Sequence, residues 1–243
     1  MDPEDERRNI LSLHRLVGST KLGRHLILAG SSGLSAASQT IPALTEDVDL
    51  LVDSEWVKDH DKALLAEMER IGFKHQPGTC TFLAPGGQSI DLVGYSKRDR
   101  IDRIGGSQRI PVMVFADASL VLADSESIQD SPEGGRVLSP AALAAIKLLT
   151  VRLEKGSKDK LQALLLTAEK EDDGEFLSAL HRILSRFEPD RVEDALADAQ
   201  AAFLAISGDA LRADQQSRGY VEMRSAAGRG LEVLRRLVEG HLE

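Results

Sequence analysis

Residues 26–33, LILAGSSG, and residues 45–52, TEDVDLLV, are the two segments that decide the fold of this chain. The first is a short apolar strand that ends in a Gly-Ser turn, from which a helix can start. The second is an apolar strand that begins with Asp47 and Asp49. Because alternate residues of a strand point to the same face, the two carboxylates lie side by side. At an effective dielectric of about 20 they repel by about 4 kcal/mol, so the pattern predicts a cation between them.

The bulk composition limits the classes of function. The chain has 243 residues, of which 42% are hydrophobic, enough for one good core and a second, smaller one. Its net charge of −9 excludes a global basic field for nucleic acid or anionic membrane. With Cys80 as the single cysteine, no disulfide can form within the chain, and the acidic start is unlike a leader peptide. We expect a soluble, cytoplasmic protein with no membrane partner.

Hydrophobic periodicity divides the chain into an α/β half and a helical half. The first half predicts helices and strands; after the Ser131–Gly135 linker every pattern is helical. The predicted fold class is therefore α+β: a mixed sheet flanked by helices in domain 1–135, followed by an all-helical domain 136–243. Strands are predicted at 25–29, 47–52, 79–83, 89–93 and 110–115, and helices at 4–16, 31–38, 54–71, 140–154, 158–170, 174–187, 189–206 and 229–242.

A third carboxylate, Asp91, lies mid-strand between apolar neighbours in the segment 88–93. Aspartate is disfavoured inside strands, and an ionised one there must be paired or bind a metal. Three acidic side chains on neighbouring strands suit Mg²⁺, which prefers oxygen ligands and usually bridges to substrate phosphates. Two such ions can activate an attacking oxygen and stabilise a leaving one.

Two further features fit a phosphate ligand. Gly30 and Ser31 stand at a strand–helix turn, where backbone N–H groups and a hydroxyl can hold phosphate oxygens. Lys147 interrupts the otherwise apolar helix 141–149, so it either extends to the surface or faces a polar cleft. Taken alone, each feature is more often structural than functional, and Asp47 and Asp49 alone are as consistent with a solvated strand edge.

The order of these motifs resembles the nucleotidyltransferase superfamily with the DNA polymerase β-like core. Gly-Ser, Asp-x-Asp on a strand and a lone strand Asp carry that resemblance over about residues 20–170. The helix KLLTVR at 147–152 and the Lys158-Asp159 start of the next one are similar to the AbiEii-type toxin branch.

The resemblance implies a role for each matching residue. Gly30 and Ser31 would contact the triphosphate, Asp47 and Asp49 would be the main metal ligands, and Asp91 would complete the metal site and help deprotonate the acceptor. In the helical domain, which would close a cleft over the site, Lys147 would bind phosphate, and Asp159 matches an acidic motif position. The chain departs from the pattern at Ala43, where many relatives carry arginine, at Gln162, where relatives often carry a second acid, and in the long spacing between Ser31 and Asp47.

The resemblance implies a metal-dependent enzyme that moves a nucleoside monophosphate from an NTP to a hydroxyl, with two Mg²⁺ ions when NTP is bound. Its acceptor would be tRNA or protein, in a toxin-like setting with an antitoxin partner, or a small molecule as in aminoglycoside nucleotidyltransferases. The alternative is a non-catalytic binding or regulatory module that keeps the fold.

Overall fold

The computed structural model describes residues 3–38, 41, 47–96, 104–131, 134–151, 156–208 and 218–240. Ala43 and Arg152 lie outside these ranges. The chain forms two compact units, residues 1–139 and 140–243. The sequence placed the boundary at 135/136, but Arg136–Leu138 is a strand that pairs with Ile27–Leu28. The sheet unit therefore extends to Ser139.

The first unit is a mixed sheet with helices. Its helices are α1 (Pro3–Gly18), α2 (Gly30–Ala37), α3 (Ser54–Arg70) and α4 (Ala116–Leu122), with a 3₁₀ turn at Gly23–His25. Its strands are β1 (Ile27–Leu28), β2 (Asp47–Asp53), β3 (Lys74–His75), β4 (Thr81–Leu83), β5 (Ser89–Tyr95), β6 (Ile104–Gly106), β7 (Pro111–Val114), β8 (Ile128–Asp130) and β9 (Arg136–Leu138). The expected α+β class with a mixed sheet is confirmed.

The strand order is β3-β4-β5-β2-β1-β9-β8, with β7 also beside β5 and β6 beside β7. At the centre, β2 runs parallel to β5 and antiparallel to β1. The far edge of β5 is shared between two strands: β4 pairs with its first half, residues 89–91, and β7 pairs with residues 93 and 94. The first half of β5 is thus enclosed on both sides.

One face of the two central strands is the core, and the other carries the acids. Both strands alternate, because side chains two apart share a face. The core side chains Val48, Leu50, Val52, Ile90 and Leu92 are all at most 1% exposed. The residues between them on the opposite face include Asp47, Asp49 and Asp91, and these are half-buried. The sheet therefore holds the three acids on its more accessible face.

The second unit is helical, as expected. Its helices are α5 (Pro140–Leu149), α6 (Gly156–Glu169), α7 (Gly174–Leu184), α8 (Pro189–Gly208) and α9 (Arg218–Val238). The helix predicted at 140–154 ends at Leu149. Side chains donate hydrogen bonds to the carbonyl groups at this end. Lys160 Nζ donates to the carbonyls of Leu148 and Thr150, and the Arg191 guanidinium donates to that of Leu149. Among the described helices, none has the length and apolar character needed to cross a bilayer.

Candidate acidic site on the sheet

The two parallel strands β2 and β5 bring the predicted acids together. Asp49 and Asp91 are direct register partners, and Asp47 is opposite Ser89. Neighbouring strands lie about 4.8 Å apart, and register partners on parallel strands point to the same face. Asp47, two residues before Asp49, shares that face. The three carboxylates therefore lie on one patch of the sheet: Asp49 and Asp91 are side by side, and Asp47 belongs to the neighbouring residue pair on the same face.

Gly30 borders this patch from the helix side. It is the first residue of α2 and has φ +62°, a conformation that side-chain-bearing residues rarely adopt. A Cβ built on Gly30 would lie 1.8 Å from Asp49 Oδ2 and 2.8 Å from Asp49 Cβ. The Asp49 carboxylate thus fills the space that a side chain would need. The N-terminus of α2, which carries partial positive charge, lies directly beside that carboxylate.

Ser32 joins the turn to the acidic strand. Its fully buried hydroxyl donates to the carbonyl of Ala29 at 2.8 Å and accepts the Asp49 N–H at 3.1 Å. The Ala29 N–H in turn donates to the Asp49 carbonyl at 3.0 Å. These three bonds fix the backbone of Asp49 against the first turn of α2. Ser31, the predicted phosphate ligand, is the second residue of that turn and is half-buried.

Two hydroxyl groups that the sequence analysis missed bind the acids. Thr81, on β4, donates to Asp91 Oδ1 at 2.6 Å, and Ser89, on β5, donates to Asp47 Oδ1. A signal for Thr81 was present in the sequence, because the predicted hairpin turns around Gly86. Residues equally distant from the turn centre face each other in a hairpin, and Thr81 and Asp91 are such a pair.

The chemistry of these donors suits a hard divalent cation. Carboxylate and hydroxyl oxygens are typical Mg²⁺ ligands, and Mg²⁺ is usually held by one or two carboxylates while water and substrate phosphates complete its shell. In the described part of the chain, no group of three or more His, Cys, Asp or Glu side chains could hold a metal by itself. The carboxylates and hydroxyls of this patch fit such an ion when water and phosphate oxygens complete its shell.

Cys80 lies beside the site but is a poor nucleophile. Burial raises the pKa of its thiol, and the nearby negative charge of Asp91 raises that pKa further. The thiolate, not the thiol, is the reactive form of cysteine. Cys80 is therefore protonated at neutral pH, and the chemistry of this face belongs to the oxygen ligands.

In the helical unit, the other two predicted residues contact each other. Lys147 is 3% exposed, and its ammonium donates to Asp159 Oδ1 at 3.1 Å and to Gln162 Oε1 at 2.6 Å. Asp159 and Gln162 are one turn apart on α6, so this ammonium links α5 to α6. Gln162, which replaces an acid of the family pattern, takes part directly in this contact.

Comparison with known proteins identifies no relative of this chain. The sequence matches no protein-family model, and a search of curated proteins gives no significant match.

Proposed function

We propose that this protein is a metal-dependent nucleotidyltransferase that transfers a nucleoside monophosphate from an NTP to a hydroxyl group. The observation that carries the proposal is the in-register pair Asp49 and Asp91, with Gly30 packed against the Asp49 carboxylate. The proposal is also supported by the order of the motifs, which resembles the DNA polymerase β-like superfamily. In that assignment the sheet unit is the catalytic domain.

The chain's own residues would divide the work as follows. Asp47, Asp49 and Asp91 would hold Mg²⁺, while N–H groups at the start of α2, around Gly30 and Ser31, would receive phosphate oxygens. Bound Mg²⁺ supplies positive charge that offsets the charge of the triphosphate. Asp91 would accept the proton of the acceptor hydroxyl. The acceptor oxygen would then bond to the α-phosphorus, while the bond between the α-phosphorus and pyrophosphate breaks. Positioning and charge compensation would supply most of the catalysis.

The helical unit would contribute through Lys147 and Asp159 in the family pattern. For Lys147 to bind phosphate, its ammonium would have to exchange Asp159 and Gln162 for phosphate oxygens. The present contacts give Lys147 a structural role, in which its ammonium links α5 to α6.

The acceptor class follows from the AbiEii-type resemblance. We propose tRNA or a protein as the acceptor in a toxin-like setting, with an antitoxin partner and a cytoplasmic location. The assay uses each of the four NTPs labelled at the α-phosphate, with total RNA and with total protein as separate acceptor pools. Labelled RNA or labelled protein identifies the acceptor class directly.

Substitution of the acids tests the chemistry. Asp49→Asn and Asp91→Asn should each reduce transfer by at least about a hundredfold, because each removes a charged ligand of the ion. Asp59→Asn is the matched control, because Asp59 is exposed on α3 and belongs to no described site. Full transfer by the Asp49→Asn protein would overturn the proposal.

A non-catalytic binding module is the second candidate function. It is favoured by the contacts of Lys147, whose ammonium donates to Asp159 and Gln162 within the helical unit. Thermal unfolding with Mg²⁺ and each NTP separates the two candidates. Ligand at a hundredfold excess over its dissociation constant stabilises by about 2.7 kcal/mol, which raises the melting temperature by a few degrees. Absence of a shift with all four nucleotides favours the module.

A further inference from the structure

Asp91 is held by a hydroxyl group from outside the family motifs. The Thr81 Oγ1–Asp91 Oδ1 distance of 2.6 Å is typical of a hydroxyl that donates to an ionised carboxylate. A threonine hydroxyl has a single O–H, and an ionised carboxylate only accepts, so the direction of this bond is fixed. The single hydroxyl proton of Thr81 is therefore donated to Asp91, the register partner of Asp49.

The bond matters because a carboxylate rotates easily about its last torsion. The final torsion of an Asp side chain has broad, roughly two-fold preferences, unlike the sharp wells of saturated carbons. Strand pairing fixes the Asp91 backbone but not this rotation. A hydrogen bond to Oδ1 does fix it, and it leaves Oδ2 as the oxygen that can face a ligand.

The fold keeps Thr81 itself in place. It is the direct cross-strand partner of Asp91, and β4 covers the half of β5 that carries the acid. The Thr81 N–H also donates to Thr79 Oγ1 at 3.1 Å. Across one row of the sheet, Thr81, Asp91 and Asp49 therefore follow one another on three adjacent strands.

We propose that Thr81 is a positioning residue, whose hydroxyl orients Asp91 so that Oδ2 is presented to a divalent cation. This inference rests on the proposed function, because it takes Asp91 to be a metal ligand. It adds a residue outside the Gly-Ser and Asp motifs and explains why a polar β-branched side chain stands opposite the acid. Partners of ligating side chains typically contribute tenfold to a hundredfold in metal affinity.

Manganese binding by the 243-residue chain tests the inference without an acceptor. Free Mn²⁺ is measured by electron paramagnetic resonance during titration, with Mn²⁺ alone as the probe. Thr81→Val keeps the β-branched shape but removes the hydroxyl, and we expect its dissociation constant for Mn²⁺ to rise about tenfold. Thr81→Ser keeps the hydroxyl and should bind like the wild type. Ser19→Ala is the control, because it removes an exposed hydroxyl that donates to the Leu16 carbonyl at the end of α1.

The outcomes separate the two proposals. Equal Mn²⁺ affinity of Thr81→Val and wild type overturns the positioning role, as does a Thr81→Ser protein that is as weak as Thr81→Val. If Asp49→Asn binds Mn²⁺ as tightly as the wild type, the metal site of the proposed function is wrong and the inference fails with it. Melting temperatures measured in EDTA show whether each variant is folded. A Thr81→Val protein that has the melting temperature of the wild type but binds Mn²⁺ more weakly supports the inference.

Discussion

At Gly30, both the backbone conformation and the packing require glycine. Its positive φ excludes most side chains, and the Asp49 carboxylate fills the position of a Cβ. Rotation of the Asp49 side chain would not relieve a clash, because Asp49 Cβ itself would lie 2.8 Å away. Any side chain at Gly30 must therefore move the acidic strand or the start of α2.

We predict that Gly30→Ala lowers the free energy of unfolding by more than about 2 kcal/mol, from unfavourable φ together with overpacking. Two glycines near the β4–β5 turn supply matched controls in open space. Gly87 has φ +86°, so Gly87→Ala isolates the backbone term, about 1 kcal/mol. Gly86→Ala should change stability by less than about 0.5 kcal/mol. Urea unfolding measures all three, and equal losses for Gly30→Ala and Gly87→Ala would exclude the contact with Asp49.

Lys147 is one of the buried charged residues of the helical unit. Removing one partner of a buried ion pair typically costs 3–5 kcal/mol, because the other charge stays buried without compensation. We predict that Lys147→Met destabilises the chain by about 3 kcal/mol in urea unfolding. The double variant Lys147→Met with Asp159→Leu removes both charges and should recover at least half of that loss. A fully stable Lys147→Met protein would favour the phosphate role instead.

At the scale of elements, α9 packs on α6 through a glycine. A Cβ on Gly230 would lie 1.9 Å from the Leu164 carbonyl oxygen, whereas one on Gly228 would make ordinary contact with Phe203 at 3.5 Å. Both glycines lie within one helix, so both gain about 1 kcal/mol of helix propensity as alanine.

We predict opposite signs for the two alanine substitutions. Gly228→Ala should stabilise by up to about 1 kcal/mol. Gly230→Ala should destabilise by about 1–3 kcal/mol, because the clash is with backbone and the helices must separate. Thermal and urea unfolding report both, and a stabilising Gly230→Ala substitution would mean that the α6–α9 contact is looser than described.

The contact of α1 with β9 depends on a neutral histidine. His14 is 1% exposed, and its Nε2 lies 2.9 Å from the Arg136 carbonyl. Since a carbonyl only accepts, Nε2 carries the proton, and the buried Nδ1 has no hydrogen-bond partner. Burial lowers the pKa of His14, and the bond to Arg136 opposes this only in part.

This lowered pKa makes stability depend on pH. The unfolded chain takes up the His14 proton near its ordinary pKa of 6.5, whereas the folded chain takes it up only at lower pH. The contribution of neutral His14 is therefore fully present above about pH 6.5 and is lost as the pH falls toward the folded pKa. We predict that His14→Leu has a flatter pH–stability profile than the wild type between pH 7.5 and 5. Parallel profiles in urea unfolding would contradict this.

The elements that sequence could predict are the long, periodic ones. The helices corresponding to α1, α3, α6, α7 and α8 agree with the structure within a few residues, because their apolar stripes are sustained over several turns. The strands β3, β6, β8 and β9 were missed because two or three residues do not establish an alternation. The helix α4 was also missed, since seven residues hold fewer than two turns. The C-terminal helix was predicted from residue 229 but includes residues from 218 onward.

The candidate site was predictable in part for the same physical reason. The strand acids stand out because charge is unexpected in an apolar strand. Their hydroxyl partners do not stand out, since Ser and Thr are common on half-buried faces. The partners of Lys147 depend on how two helices pack, which local spacing does not encode.

At the scale of the whole molecule, the acidic site and its supporting residues all belong to one compact unit. Gly30, Asp47, Asp49, Thr81 and Asp91 lie within residues 1–139, which contain their own hydrophobic core. A unit with its own core can fold alone. The helical unit holds Lys147 and Asp159.

We predict that a fragment of residues 1–139 unfolds cooperatively and binds Mn²⁺ like the 243-residue chain. If the helical unit supplies phosphate contacts, the fragment should bind Mn²⁺–ATP more weakly than the full chain does. Calorimetric titration of both proteins measures the difference, and the Asp49→Asn fragment is the control for specific binding. Equal nucleotide affinity would assign the whole nucleotide site to residues 1–139.

The alternation of β2 and β5 also has a consequence for how the chain avoids misfolding. Sliding β5 past β2 by one position would exchange the two faces, so that Asp91 would enter the space of Leu92. An ionised carboxylate buried among aliphatic side chains is strongly penalised. The same acids that make the patch suitable for a cation therefore also disfavour a one-residue shift between the central strands, since that shift would bury their charge in the core.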